Sequence, residues 1–399
     1  MKFTYGSVCS GIEAVTCAWH NFAQPLWFAE IEPFPSAVLA HHFPEVPNLG
    51  DMTLLADKIL TREIEAPDVL VGGTPCQAFS VAGYRLSLED ERGNLTLKFL
   101  EIANAIDHIR YKDGKAPLII LWENVPGVLS TKDNAFGQFL AGLANGSEPL
   151  LPPRQLKWGN AGYIHAQRTL TWRTLDAQYF GVAQRRKRVF LVASARKRST
   201  CQILFEQASL SGNIKPSGKE GKDFTQNIET SITSNNRSVM CIDKQITVNE
   251  NICSAMVATQ YKQPPVIVHG TQDPIVSEKT AHCLGRNNGM ENVLFEIKGT
   301  EAIRLHENVS PTLKARMGTG GNNVPCITQK SVVRKLTPVE CERLQGFPDN
   351  WTKIPYRNKP AEQCPDSPRY KAIGNSMAVP VMRWIGLRIQ QYLKSEYNL

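Results

Sequence analysis

The 399 residues contain no Cys-x-x-Cys pair, although ten cysteines are present, and the eight histidines show no zinc-type spacing with them. That pattern gives no support to a structural zinc site or a disulfide framework, so the thiols are expected to be reduced and the protein metal-free. No apolar run approaches the roughly 20 residues needed to span a bilayer, and Glu13 interrupts the apolar stretch near the amino terminus. A soluble, cytoplasmic, monomeric protein without membrane contact is expected. Acidic residues are scarce in one part of the chain only. Residues 131 to 399 carry 36 Lys or Arg against 21 Asp or Glu, net +15, whereas residues 1 to 130 carry 9 against 16, net −7. The basic part suits a polyanion, most commonly nucleic acid, with a solvated basic surface as the plainer reading. The length favours two domains.

The chemistry-bearing stretches fall on an alternation of apolar runs and amphipathic segments. Phe3 to Val8 reads as a strand, Cys9-Ser10-Gly11-Ile12 as a small-residue turn, and a helix starts near Glu13. Leu26 to Glu30 reads as a second strand with an acid at its end, where a ribose diol is commonly taken; Glu32 reads as a helix-start carboxylate. Asp51 precedes a helical stretch from Leu54 to Leu60.

The organising stretch is Val69-Leu70-Val71-Gly72-Gly73-Thr74-Pro75-Cys76-Gln77. An apolar run empties into Gly-Gly-Thr-Pro and presents a cysteine at the carboxyl edge of a sheet, where open α/β folds bind ligands. Cys76 is therefore a candidate nucleophile, set against the commoner buried structural cysteine. A polar loop follows from Ser80 to Gly93, then an apolar-periodic helix from about Asn94 to Arg110. Pro117 to Trp122 is a second buried strand that delivers Glu123, followed by Asn124 and Val125, to the same edge; a carboxyl buried there would have a raised pKa. Strands run from Tyr163 to Ser194, and their alternation puts Gln184, Arg186 and Arg188 on one face, Arg185 and Lys187 on the other.

Residues 198 to 333 are rich in Gly, Ser, Asn and Lys, show no repeat, and read as an irregular strand-and-loop module. Thr337 with Glu340 forms a capping box, Pro338 takes the first helical position, and Gly346 then Pro348 stop the helix. Ile373-Gly374-Asn375-Ser376 is expected to open a last helix, whose Val379, Met382, Ile385 and Ile389 form a core stripe.

Pro75-Cys76-Gln77, Glu123-Asn124-Val125, Gln184 with Arg186 and Arg188, the Leu336 to Pro348 segment and Gly374-Asn375-Ser376 together resemble the DNA cytosine-5 methyltransferases, in the family's order and over nearly the whole chain except residues 198 to 333. The resemblance implies an α/β fold, an S-adenosylmethionine-dependent Rossmann-like methyltransferase sheet, with a smaller, irregular target recognition domain. Residues 1–197 plus 366–399 would form the catalytic and cofactor-binding domain, and residues 198–365 the recognition domain.

It further implies double-stranded DNA as partner, S-adenosyl-L-methionine as cofactor, no metal, and base flipping, since C5 and C6 of cytosine are out of reach inside a duplex. Cys76 resembles the nucleophile that adds to C6, Glu123 the residue that holds and protonates N3, Arg188 the contact to O2, and Arg186 its supporting partner. The loop from Ser80 to Gly93 would close over the base. Cofactor contacts are implied for Gly11, Ile12, Glu30, Ile31, Asp51, Met52, Pro75, Leu95, Asn375 and Ser376. The first turn departs from the family: Cys9 stands at its usual aromatic position and Glu13-Ala14 where glycines are common, with Ile31 a neighbour able to compensate. Two other readings are a DNA-binding regulator that keeps the fold without the chemistry, and a tRNA methyltransferase; the intact Cys76, Glu123 and Arg188 oppose the first, the long inserted module of residues 198 to 333 the second.

Overall fold

The computed structural model describes residues 2–74, 91–153, 157–205, 310–318 and 332–397, with short strands at 241–242, 266–268, 276–277, 293–296, 304–307 and 326–329. Pro75, Cys76, the loop from Ser80 to Asp90 and most of residues 198 to 333 lie outside the described residues. The chain forms two compact units: residues 1–176, 187–216 and 376–399, and residues 177–186 and 217–375. These bounds group residues 366–375 with the second unit, unlike the 198–365 range expected from sequence.

The first unit holds a seven-stranded sheet of β1 (Phe3–Val8), β2 (Ala23–Ala29), β3 (Val69–Gly72), β4 (Ile119–Asn124), β5 (Ala161–Ile164), β6 (Thr169–Asp176) and β7 (Lys187–Ser194). Their order is β2-β1-β3-β4-β7-β6-β5. The first four strands pair in parallel, and then β7 pairs antiparallel with β4, β6 with β7, and β5 with β6. Sequence runs such as Ile119 to Trp122 are apolar at every position because both faces of the sheet are covered.

Alternate residues serve opposite faces. Leu70, Ile120, Trp122 and Leu191 join a core with α3 (Leu55–Leu60), α4 (Glu91–Lys112) and α5 (Ala135–Ala144). An aromatic cluster fills it: Trp122 stands 4.6 Å from Phe139 and Phe136 5.5 Å from Trp172, between ring centroids. Elsewhere in the unit, α1 (Ala14–Trp19) packs on the last helix, α9 (Val379–Tyr397), where Trp19 Nε1 donates to the Met382 carbonyl at 2.6 Å. Val379, Met382, Ile385 and Ile389 are buried, as the helical stripe predicts. Between β2 and α3 lies α2 (Pro33–His42), and α6 (Cys201–Leu204) packs on α9 and β6.

Because β2 and β3 leave β1 on opposite sides, β1 is the topological switch point of the parallel half, and its carboxyl end is where ligands bind in such sheets. Register aligns Ala29, Val8, Gly72 and Trp122 across the four parallel strands. The residues that follow them, Glu30, Cys9, Gly73 and Glu123, therefore share one edge. Asn124 pairs with Val189, which brings the start of the antiparallel β7 to that edge as well.

The second unit contains a three-stranded sheet, with β9 (Val266–Val268) between β8 (Cys241–Ile242) and β10 (Val276–Ser277). It also contains a four-stranded sheet ordered β12 (Arg304–Glu307), β11 (Val293–Glu296), β13 (Cys326–Gln329), β14 (Val332–Lys335). Its α7 (Pro338–Gln345) has the expected capping box between Thr337 and Glu340, Pro338 at its start and Gly346 at φ 81° as its C-cap. The next helix, α8 (Asp366–Asn375), corrects one expectation: Ile373-Gly374-Asn375 closes a helix instead of opening the last one. Pro380 explains the later start, since its fixed φ and missing N–H suit a first turn, and α9 begins at Val379. Gly374 is required there, because a Cβ would sit 2.2 Å from the Lys314 carbonyl carbon.

Candidate active site

The first turn takes its shape from three residues with left-handed backbone: Cys9 (φ 50°), Gly11 (φ 58°) and Glu13 (φ 55°). Only the glycine adopts this without steric cost; each of the others costs about 1–2 kcal/mol. A buried network offsets that strain. Glu13, fully buried, accepts from Ser7 Oγ at 2.6 Å, from Thr16 N at 2.9 Å and from Thr16 Oγ1 at 2.6 Å, and so caps α1. Thr16 in turn shares a hydrogen bond with the Tyr5 hydroxyl at 2.7 Å. Burial raises the Glu13 carboxyl above its usual range, against the lowering effect of these hydrogen bonds.

Above this network the Gly11 amide donates to Glu30 Oε2 at 2.8 Å, and the Glu32 amide donates to Glu30 Oε1 at 2.8 Å. Burial raises the Glu30 carboxyl as well, with the two amides opposing. Ile31, next to it, is 72% exposed. The Cys9 thiol donates to Met52 Sδ at 3.7 Å, which brings Met52 to the same turn. Burial, with Glu30 adding, pushes the Cys9 thiol up to about 12. Cys9 is thus protonated at neutral pH and no competitor as a nucleophile. Asp51, exposed, caps the short helix Met52–Leu54 through the Thr53 amide at 2.9 Å. Ile12 is fully buried. Leu95 is partly buried against the core, and the Ser376 hydroxyl donates to the Met377 carbonyl at 3.1 Å. Asn375 is exposed and belongs to the second unit, while Ser376 belongs to the first.

These groups fit S-adenosylmethionine. Glu30 and Asp51 are acids for a ribose or an ammonium group, exposed Ile31 offers an apolar face for adenine, and the Gly11 turn allows close approach, with nothing within 4 Å of where a Cβ would stand.

Farther along the edge, Arg188 Nε lies 3.0 Å from Glu123 Oε1, and the side chains are 15% and 13% exposed. The Arg188 Nη1 also donates to the Lys187 carbonyl at 2.8 Å. Glu123 is therefore held by an arginine instead of standing among apolar groups alone. Gly73 makes room for it, since a Cβ there would come within 3.1 Å of Glu123 Oε2 and 3.4 Å of Met377 Cε. Asn124 Nδ2 donates to the Thr74 carbonyl at 3.0 Å, which ties the ends of β4 and β3 together one residue before Pro75. Arg186 is placed differently from Arg188. It is buried in the second unit, where Nη1 donates to the Leu313 carbonyl at 2.9 Å and Nη2 to the Gly374 carbonyl at 3.2 Å. Gln184 acts in the same way, donating to the Leu344 carbonyl at 2.8 Å. Glu13, Gly73 and Thr74 stand out in the sequence only as parts of turns, with no individual role at the site. The available signals were an acid inside an apolar stretch, three residues before Thr16, and small residues placed against a carboxylate.

A family model for C-5 cytosine-specific DNA methylase matches residues 3–391. The chain belongs to the C-5 cytosine-specific DNA methylase family. Among relatives of this family member, a protein of Escherichia phage P1 named DNA N-6-adenine-methyltransferase is 42% identical over 97% of this chain, which spans 61% of that protein's length. The type II methyltransferase M.Bsp6I of Bacillus sp. is 29% identical over 84% of each chain, and M.HpaII of Haemophilus parainfluenzae 26% identical over 100% of this chain and 92% of that one. Two solved structures share the methylase fold. One is a DNA modification methyltransferase encoded within an E. coli prophage, with TM-score 0.54 and 17% identity over 98% of this chain and 100% of that one. The other is S. pombe Dnmt2 methyltransferase, with TM-score 0.52 and 15% identity over 98% and 99%. Family and fold imply use of S-adenosylmethionine. Among the described residues, no helix is long and apolar enough to cross a membrane.

Proposed function

We propose that this methylase transfers a methyl group from S-adenosylmethionine to C5 of a flipped cytosine in double-stranded DNA, through a covalent adduct between Cys76 and C6. The observation that carries the reading is the Glu123–Arg188 pair at 3.0 Å, at the end of the strand next to the one that leads into Pro75-Cys76. A carboxyl and a guanidinium side by side match the N3 and O2 edge of cytosine, where one must carry a proton and the other must donate.

The Cys76 thiolate adds to C6, forming the C–S bond and moving the ring's electron pair to C5. Glu123 delivers a proton to N3, which keeps that pair from placing net charge on the ring. Arg188 donates to O2 and holds the ring plane against the thiol. S-adenosylmethionine, when bound, would supply an electrophilic methyl group on a sulfonium: the C5 electron pair would form the new C–CH3 bond while the S–CH3 pair stays on the departing neutral thioether. Loss of the C5 proton to solvent then expels the thiolate, N3 returns its proton to Glu123, and the aromatic base is restored. A free thiol with pKa near 8.5 is only a few per cent thiolate at about pH 7, so tight positioning of ring and sulfur has to supply much of the rate. Glu30, Ile31, Asp51, Met52, Leu95, Ser376 and the backbone at Gly11 and Ile12 would hold the cofactor, with Pro75 and Asn375 as further contacts. Arg186 acts as a support within the second unit, through the Leu313 and Gly374 carbonyls. The second unit, within the basic part of the chain, would supply phosphate and base contacts, and pairing with a cognate nuclease in restriction-modification fits the type II relatives.

The name of the phage P1 relative raises adenine N6 as a second target. Transfer to N6 uses the nitrogen's own electron pair and has no use for a thiol, so Cys76 separates the two chemistries. The test is tritium transfer from labelled S-adenosylmethionine to duplex DNA and to tRNA, with chromatography of the digested nucleosides, for the intact protein and Cys76→Ser. We expect label in 5-methylcytosine from DNA only, and none from Cys76→Ser although it still binds DNA. Label in N6-methyladenine, label in tRNA alone, or full activity of Cys76→Ser would each defeat the proposal.

A further inference from the structure

Thr74 is the last described residue before Pro75 and Cys76, and its side chain takes no part in the chemistry proposed above. It is 3% exposed, so its hydroxyl has to find partners within the protein. It finds two, on different elements. The Trp122 indole, from the residue before Glu123 on β4, donates to Thr74 Oγ1 at 2.9 Å. On the other side Thr74 Oγ1 and Thr96 Oγ1, from α4, share a hydrogen bond at 3.0 Å. Thr96 is 1% exposed and Trp122 fully buried, so no water replaces either bond if it is lost. One hydroxyl therefore joins the end of β3, the strand that carries Glu123, and the helix that resumes after the Cys76 segment.

The three partners cannot shift independently. Trp122 is fixed by its rings, with centroids 4.6 Å from Phe139 and 6.2 Å from Phe136. The same strand end is held through the backbone by Asn124, whose Nδ2 reaches the Thr74 carbonyl at 3.0 Å. The carbonyl and hydroxyl of Thr74 are thus clamped by the residues on either side of Glu123. We infer that Thr74 is a positioning residue for methyl transfer: its buried hydroxyl fixes the distance between the chain carrying Cys76 and the strand carrying Glu123. The inference rests on the proposed roles of Cys76 and Glu123.

The effect is expected in the chemical step. A misplacement of about 1 Å at a reacting pair costs on the order of 100-fold in rate. Thr74→Val keeps the shape, removes the hydroxyl, and leaves the Trp122 N–H without its acceptor; Thr74→Ser keeps the hydroxyl. In single-turnover methyl transfer to duplex DNA, Thr74→Val should be about 10- to 100-fold slower, with KM for DNA and for S-adenosylmethionine within about 3-fold of the unaltered protein. Thr74→Ser should be restored to within about 3-fold in rate, even if its lost methyl lowers the melting temperature as far as Thr74→Val does. Duplexes carrying 5-fluorocytosine, whose C5 fluorine blocks the final elimination, read adduct formation directly, and Thr74→Val should trap more slowly by the same factor as its turnover. Unchanged trapping by Thr74→Val, or a rate in Thr74→Ser as low as in Thr74→Val, overturns the positioning role. Failure of the unaltered protein to trap at all overturns the covalent mechanism itself, and the positioning role with it.

Discussion

Gly73→Ala tests how closely the edge is built around Glu123. Gly73 φ lies outside the left-handed region, so alanine meets no backbone strain, and space alone decides the outcome. The new Cβ would stand 3.1 Å from Glu123 Oε2 and 3.4 Å from Met377 Cε, so one of these must give by a few tenths of an ångström. Met377 has a flexible thioether and can yield. Glu123, if it yields, moves the carboxylate that holds the 3.0 Å contact with Arg188. If about 1 Å of misplacement costs 100-fold, a few tenths should cost about 3- to 10-fold in the rate of methyl transfer. The folding cost of one extra methyl should be about 1–2 kcal/mol. The assay is single-turnover transfer at saturating DNA and cofactor, beside DNA affinity by fluorescence anisotropy and thermal melting. Gly127→Ala serves as control, because a Cβ there meets nothing closer than Val125 Cγ2 at 4.0 Å. A folded Gly73→Ala protein with an unchanged rate would refute the claim that this cradle fixes the reacting geometry.

Two further outcomes follow from buried charge and thiol chemistry. Burial raises the Asp68 carboxyl, but the Thr4 amide and Arg110 outweigh it and hold the carboxyl below its usual range. Its stabilising contribution is complete above the unfolded value of 3.8 and is lost as pH falls through the lower folded value, so acid unfolding of the intact protein should be steeper than that of Asp68→Asn below about pH 4. Asp68→Asn should itself cost about 1–3 kcal/mol near pH 7, since it leaves Arg110 short of a partner; parallel acid-unfolding curves would count against this. With its thiol pushed up to about 12, Cys9 should stay unmodified by iodoacetamide at neutral pH in the folded protein, and rapid labelling in a peptide map would contradict that upward shift.

The parts of the fold legible in the sequence are those where local chemistry agrees with the tertiary environment. The run from Pro117 to Trp122 has one reading, a buried strand, and Glu123 then falls at its carboxyl end. Thr337, Pro338, Glu340 and Gly346 each signal the same short helix. Where signals depend on distant partners, the sequence is silent or misleads. Alternation puts Arg186 and Arg188 on one face, and the burial of Gln184 and Arg186 agrees, but β7 begins only at Lys187 and Arg186 spends its hydrogen bonds on Leu313 and Gly374, more than a hundred residues away. Left-handed backbone at Cys9 and Glu13 is equally illegible, since neither residue type favours it, and the compensation comes from Ser7, Thr16 and Tyr5 together. Thr74 looks like filler between glycine and proline until Trp122 and Thr96 are seen to meet on its hydroxyl.

The chain passes between its two units four times, after residues 176, 186, 216 and 375, so the second unit is assembled from a ten-residue excursion, Ala177 to Arg186, and one long segment, Ser217 to Asn375. The short piece is stitched to the long one through Gln184 to Leu344 and through Arg186 to Leu313 and Gly374. Genetic exchange of the second unit between relatives therefore has to move two cassettes in register. A recombinant that carried only the long segment would inherit carbonyls tuned to another chain's excursion, and selection on such crossovers should leave the two pieces co-inherited even where the sequence between them has diverged.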